Sequence, residues 1–136
     1  MPINWIKMPV EGLSALIVDD DPNLSNIAKE RLKGAGFVRV DMAVSVEEGY
    51  SFLRQRRYDL LLCATMIYGL ETYMGSVVAK RARTMDQHQV IVGLSSDSGN
   101  QRFWKDLADY FFVKDELHSS NGLPRVLEER FGIKPA

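Results

Sequence analysis

The side chains able to do chemistry in this chain sit at the ends of short apolar runs. Asp19-Asp20-Asp21 closes the run Ala15-Leu16-Ile17-Val18, Ser95-Ser96 closes Val90-Ile91-Val92-Gly93-Leu94, and Lys114 closes Tyr110-Phe111-Phe112-Val113. Clustered carboxylates suit a hard divalent cation, which takes oxygen ligands. A lysine supplies a compact positive charge, and a hydroxyl both donates and accepts. A fourth run, Leu60-Leu61-Leu62-Cys63-Ala64, ends on a thiol and a methyl, so the run itself offers no side-chain oxygen at its tip. Each cluster also has a plainer reading: the acids as the N-terminal decoration of a helix, Lys114 as a solvated lysine, and Ser95 as part of a polar loop.

Other reactive groups are sparse. Cys63 is the single cysteine, so no internal disulfide can form. One Cys with the two lone residues His88 and His118 makes no zinc cluster. Because Cys63 lies within an apolar run, it reads as a buried, inert thiol, which suits a reducing compartment. The group Arg54, Arg56 and Arg57 reads as a solvated helix end. Residues 1–11 hold no apolar stretch fit for a signal peptide or membrane span, and the expected location is the cytoplasm. The 136 residues suit one domain, with 46% apolar residues to fill a core and 26% charged residues for its surface. A net charge of -1 excludes a general attraction to nucleic acid or anionic lipid.

The positions of these groups follow from the strands and helices between them. Residues 1–12 read as a leader, with Trp5 and Ile6 docking on the body, 13–132 as the domain and 133–136 as a tail. The run 15–18 suits a strand buried on both faces. Pro22 opens a helix carrying Leu24, Ile27, Ala28 and Leu32 inward, which Gly34 and Gly36 end. Residues 37–43 read as a second strand. Ser45 and Glu48 form a capping box for a helix over 46–55, whose inner face is Val46, Gly49, Tyr50 and Leu53. Residues 60–64 form a third strand, 65–72 a loop, and 73–83 a helix. The run 90–94 is a fourth strand, 101–108 a short helix, 110–113 a fifth strand, and 123–131 a closing helix with Asn121 or Gly122 as its cap. Five alternations of strand and helix demand parallel pairing with helices on both faces. The expected arrangement is an α/β, flavodoxin-like doubly wound sheet, (βα)5, of order 2-1-3-4-5. In such a sheet the crevice lies at the carboxyl ends of the strands, which gathers Asp19, Asp20, Ala64, Ser95 and Lys114.

Four motifs in this order resemble the receiver domain of bacterial response regulators (the CheY-like superfamily) over residues 13–130. They are Leu16-Ile17-Val18-Asp19-Asp20-Asp21; Asp59-Leu60-Leu61-Leu62-Cys63-Ala64 with Met66 and Gly69-Leu70-Glu71; Val90-Ile91-Val92-Gly93-Leu94-Ser95-Ser96; and Tyr110-Phe111-Phe112-Val113-Lys114. The resemblance implies that Asp19 and Asp20 match a magnesium-holding acidic pair, with the Met66 carbonyl as a third metal ligand. Ser95 matches the hydroxyl that bonds a phosphoryl oxygen, Lys114 the lysine that pairs with it, and Phe111 an aromatic switch position.

The departure is at the centre: the phosphate-accepting aspartate of that family falls on Ala64, and a methyl group cannot attack phosphorus. A shift of one residue brings Cys63 or Thr65, not a carboxylate. Tyr68 and Asp115 stand where that family has proline, and a non-proline cis bond costs roughly 3 kcal/mol, so the Lys114–Asp115 peptide is expected to be trans. The stretch 95–114 is also short, so the fourth helix shrinks to a turn or a loop. A single engineered replacement would account for Ala64 but not for these other departures, and a natural degenerate site fits better. Magnesium binding is weakened, no other cofactor is expected, and Lys114 is expected to pair with Asp19 or Asp20.

The resulting expectation is an atypical, pseudo-receiver in two-component phosphorelay signalling, not an enzyme, that acts by phosphorylation-independent protein–protein interaction. Its partner is a histidine kinase, an effector or another signalling protein, or a second copy. The expected contact face runs through 101–104, 110–113 and 123–130, with Trp104, Tyr110 and Phe111 as contact residues and Trp104 as anchor. Tyr68, Tyr73 and Met74 near the rim read first as packing. Two alternatives remain: an ordinary phospho-accepting receiver altered at position 64, and a haloacid-dehalogenase-like phosphatase, suggested by Asp19-x-Asp21 but opposed by Pro22-Asn23 and by the lack of an acidic pair after the fourth strand.

Overall fold

The computed structural model describes residues 12–67 and 74–134. Trp5 and Ile6, Tyr68 with its neighbours through Tyr73, and Pro135-Ala136 lie outside the described residues. Five strands, β1 (Ser14–Val18), β2 (Arg39–Ala43), β3 (Leu60–Ala64), β4 (Val90–Ser95) and β5 (Tyr110–Val113), form one parallel sheet of order β2-β1-β3-β4-β5. The helices are α1 (Pro22–Gly34), α2 (Val46–Gln55), α3 (Ser76–Met85) and α4 (Leu123–Phe131), with 3-10 turns at Ser98–Trp104 and Lys114–Glu116. The strand order and the doubly wound class expected from the alternation are those observed.

The central strands are continuous apolar runs because both of their faces are covered. Every residue of β3 and β4 is buried. Alternate side chains feed two cores: Ile17, Leu60, Leu62 and Val92 on the α1/α4 side, and Leu16, Leu61, Cys63 and Ile91 on the α2/α3 side. A slip of one residue would exchange these sets, so the packing on both sides fixes the register.

Local chemistry starts and stops the helices. Asp21 caps α1, its carboxylate accepting from the Asn23 and Leu24 N–H groups at 3.1 and 3.3 Å. The chain leaves α1 through Gly36 at φ +107°, a conformation that favours glycine. The Ser45 hydroxyl accepts from the Glu48 N–H at 3.1 Å, and the Glu48 carboxylate accepts in return from the Val44 N–H at 2.8 Å. Gly122 is the residue that precedes α4, with Pro124 in its first turn.

Four details differ from the sequence reading. Strand β2 begins at Arg39: the Phe37 N–H is spent on the Leu32 carbonyl in the turn leaving α1, and the first bond toward β1 runs from the Val38 N–H to the Leu13 carbonyl. Helix α3 begins at Ser76, since Met74 bridges to Met66 and Gly75 occupies the cap. Ile27 stands at the margin of the buried stripe Leu24, Ala28 and Leu32, and is exposed. The β4–β5 connection holds a 3-10 turn at Ser98–Trp104 in place of a helix over 101–108, the shrinkage to a turn that the short stretch 95–114 implies. Trp104 explains it: its ring lies so close over Gly93 that a Cβ there would sit 2.3 Å from it. Pulling the indole onto the sheet draws the chain out of helical path at Lys105, the C-cap, where ψ is 135°.

Candidate functional site

Register brings the candidate residues to one rim. Val18 pairs with Cys63, Ala64 with Leu94, and Ser95 with Val113. Asp19 and Lys114 are each one residue past a strand end, on β1 and β5, with β3 and β4 between them.

Lys114 reaches across those two strand ends. Its Nζ stands 2.9 Å from Asp19 Oδ2 and 3.2 Å from Oδ1. The Asp19 side chain is wholly buried, the Lys114 side chain 20% exposed. Asp19 Oδ1 also accepts from the Asp21 N–H at 3.1 Å, and its own N–H is spent on the Ala43 carbonyl. Burial pushes the Asp19 carboxyl above its ordinary range, with Lys114 opposing that shift. The buried acid is thus held by the Lys114 ammonium, as the sequence reading expects for Asp19 or Asp20. Asp20 is exposed at the mouth of the rim.

Ala64 is buried at the tip of β3. Gly75 closes over it: a Cβ on Gly75 would meet the Ala64 carbonyl oxygen at 1.8 Å. The Gly75 N–H donates to the Thr65 carbonyl at 2.6 Å, and the Cys63 thiol donates to the Gly75 carbonyl at 3.2 Å. Cys63 is fully buried, as its apolar run implies, and burial pushes its thiol far up. Met66, named for its carbonyl, is on the exposed side of the rim. The Lys114–Asp115 peptide is trans, as are all others among the described residues.

Ser95 is buried and already engaged. Its hydroxyl oxygen accepts from the Asp97 N–H at 3.0 Å and from Asn100 Nδ2 at 2.8 Å, which folds the turn leading to Ser98. The residue missed by sequence reasoning is Thr65. Its hydroxyl donates to the Leu94 carbonyl at 2.8 Å and accepts from Trp104 Nε1 at 2.8 Å. A hydroxyl-bearing residue just past a buried strand was a usable signal, but its partner lies 39 positions away.

Of the three contact residues named from sequence, Trp104 is a correction. It is 2% exposed and cannot anchor a partner from the surface. A large aromatic over a glycine in the central sheet buries more area than any surface placement would give it. Tyr110 and Phe111 are half-buried on β5. The Tyr110 hydroxyl donates to Glu129 at 2.7 Å, with Arg125 over its ring at 5.5 Å. Beside them the shortened connection leaves an open groove of about 430 Å³, lined by Gln101, Arg102, Lys105, Ala108, Tyr110 and Phe111 among others.

No family model and no curated protein sequence matches the chain. Solved structures do. Response regulator protein TrrA from Thermotoga maritima, determined in complex with Mg(2+)-BeF, superposes with a TM-score of 0.74 at 25% identity over 88% of this chain and 99% of its own. A CheY-like receiver domain from Methylobacillus flagellatus gives 0.72 at 22% over 88% and 98%. A putative response regulator from Chloroflexus aurantiacus gives 0.68 at 24% over 86% and 96%. The chain therefore has the fold of CheY-like response regulator receiver domains. Among the described residues, no helix is long and apolar enough to cross a membrane.

Proposed function

We propose that this chain is a receiver-type module of two-component signalling that works by binding protein partners and does not accept phosphate. One observation carries the reading: the buried tip of β3 is Ala64, while Lys114 spans the rim to pair with Asp19 at 2.9 Å. A dianionic phosphoryl group would need a carboxylate nucleophile at that tip and a cation on its flank. The nucleophile is a methyl, and the cation is committed.

The same arrangement does not suit a resident magnesium ion. Octahedral magnesium is held by one or two carboxylates with good access. Asp19 is buried against Lys114, and Ala64 contributes no side-chain oxygen. Only Asp20 and the Met66 carbonyl remain, and among the described residues no three acids, histidines or cysteines cluster. The Asp19–Lys114 pair then serves to hold the rim in one arrangement. Output runs through the face that includes Tyr110, Phe111 and the adjoining groove, toward a signalling protein or a second copy of the chain.

The test is incubation with acetyl phosphate and magnesium, read by intact mass, for the wild type and Ala64→Asp. The expected result is no phosphoryl adduct on the wild type and little on the variant. Robust magnesium-dependent uptake by Ala64→Asp would favour an ordinary receiver altered at this position. Turnover of an aryl phosphate, abolished by Asp19→Asn, would make the chain an enzyme and overturn the proposal.

A further inference from the structure

A second charged cluster lies on β2, the edge strand of the described sheet. Arg39 and Asp41 are two residues apart on β2 and so share a face. Arg39 Nε donates to Asp41 Oδ2 at 2.9 Å, and the buried Tyr58 hydroxyl donates to the same oxygen. Arg56 Nε stands 4.0 Å from that oxygen, beyond hydrogen-bond reach, and is itself buried without a hydrogen-bond partner. The two Nε atoms are therefore at most about 7 Å apart.

This geometry orients the Arg39 guanidinium from behind and gathers Arg56 to the same carboxylate. Both face Asp41 through Nε, and the Arg39 guanidinium also engages the Tyr58 hydroxyl. The side chains keep 46% and 36% of their surface exposed. Guanidinium forks match carboxylates two bonds at a time, and holding them in place lowers the ordering cost of binding. Asp41, itself held by the Tyr58 hydroxyl, fixes Arg39 in this way, and its charge draws Arg56 toward the same place.

The neighbouring backbone says what kind of carboxylate bearer fits. Among the described residues β2 ends the sheet, and no described strand lies along its outer edge. Val38 and Val44, at either end of that strand, are 61% and 54% exposed, large for apolar side chains on such an edge. We infer that the β2 edge with Arg39 and Arg56 is a docking site for an extended acidic segment of a partner protein. The segment adds its backbone to the edge, places Glu or Asp carboxylates on the arginine forks, and lays apolar side chains on Val38 and Val44. A net charge of -1 on the chain argues against a nucleic-acid strand as occupant.

The probe is a short synthetic peptide of alternating Glu and Thr, titrated into the full chain and followed by backbone amide shifts and fluorescence anisotropy. Shifts are expected across 38–44 and 56–58, with salt-sensitive binding weakened about tenfold in R39Q/R56Q. R39K/R56K, which keeps the charges and loses the forks, is expected to weaken binding several-fold, and it carries the test should R39Q/R56Q unfold by circular dichroism. Absence of shifts at about 1 mM peptide, equal binding by a Lys/Thr peptide, shifts confined to another surface, or undiminished binding by the variants would overturn the inference. Inorganic phosphate that displaces the peptide at equal concentration would overturn the assignment to an extended segment. None of these outcomes depends on position 64, so failure here leaves the rim reading standing.

Discussion

Removing the Lys114 ammonium should expose the cost of burying Asp19. At 2.9 Å and an effective dielectric constant near 20, the pair attracts by about 6 kcal/mol before desolvation is counted. Desolvation of a wholly buried carboxylate consumes much of that, so the intact pair adds little net stability. Breaking it is different, because the acid stays behind. Buried pairs broken from one side lose about 3–5 kcal/mol, and the partial exposure of Lys114 puts Lys114→Met near 3 kcal/mol. The penalty should depend on pH with a definite sign. Burial already holds the folded Asp19 pKa above its unfolded value, and loss of the lysine raises it further. Between those two values the folded state binds more protons, so the variant gains stability as pH falls. Each unit of extra elevation costs about 1.4 kcal/mol at neutral pH and is recovered on acidification. Urea unfolding of both proteins at about pH 7 and about pH 5 measures this, provided the denaturant slope is unchanged. Asp19→Asn in the same background should restore most of the loss. A penalty under about 1 kcal/mol at neutral pH, or one that does not shrink toward pH 5, would refute the assignment of Asp19 as a buried charge held by Lys114.

Other substitutions test the packing around the rim. Gly93→Ala places a methyl against the Trp104 ring and should cost about 1–3 kcal/mol in urea unfolding, with Trp104 fluorescence shifted as the indole is displaced. Trp104→Ala should cost about 3–5 kcal/mol, so loss of a partner in that variant reports unfolding; Tyr110→Ala and Phe111→Ala are the variants to use in binding assays. Cys63 should resist a thiol reagent in the folded protein and react fully in denaturant; rapid labelling of the native state would contradict its burial. Asp109 also tests the acid limb. Burial opposes its ionised form, but the Ile91 N–H and Arg83 hold its carboxyl below the ordinary range. That contribution is present above the unfolded pKa and lost as pH falls through the folded one, so Asp109→Asn should flatten the fall of stability below about pH 4.

Much was legible from the chain alone because its signals are local. Uninterrupted apolar runs specify strands covered on both faces, and Asp21, Ser45 and Gly36 do their capping and turning within a few residues. Parallel topology followed from the alternation, and with it the gathering of Asp19, Ala64, Ser95 and Lys114 at one rim. What the sequence left open depends on contacts between distant residues. Whether Lys114 takes Asp19 or Asp20 is decided by which carboxylate the end of β1 buries. Trp104 looks like a surface anchor until Gly93 and Thr65, 11 and 39 positions away, are brought beneath it. The indole's hydrogen bond to Thr65 and its close approach to Gly93 join three elements that no local pattern connects. Arg39, Arg56 and Asp41 converge only once β2 pairs and the chain leaving α2 turns back along it. Propensity and patterning act over a few residues, whereas burial of a charge or an indole is settled by the whole packed fold.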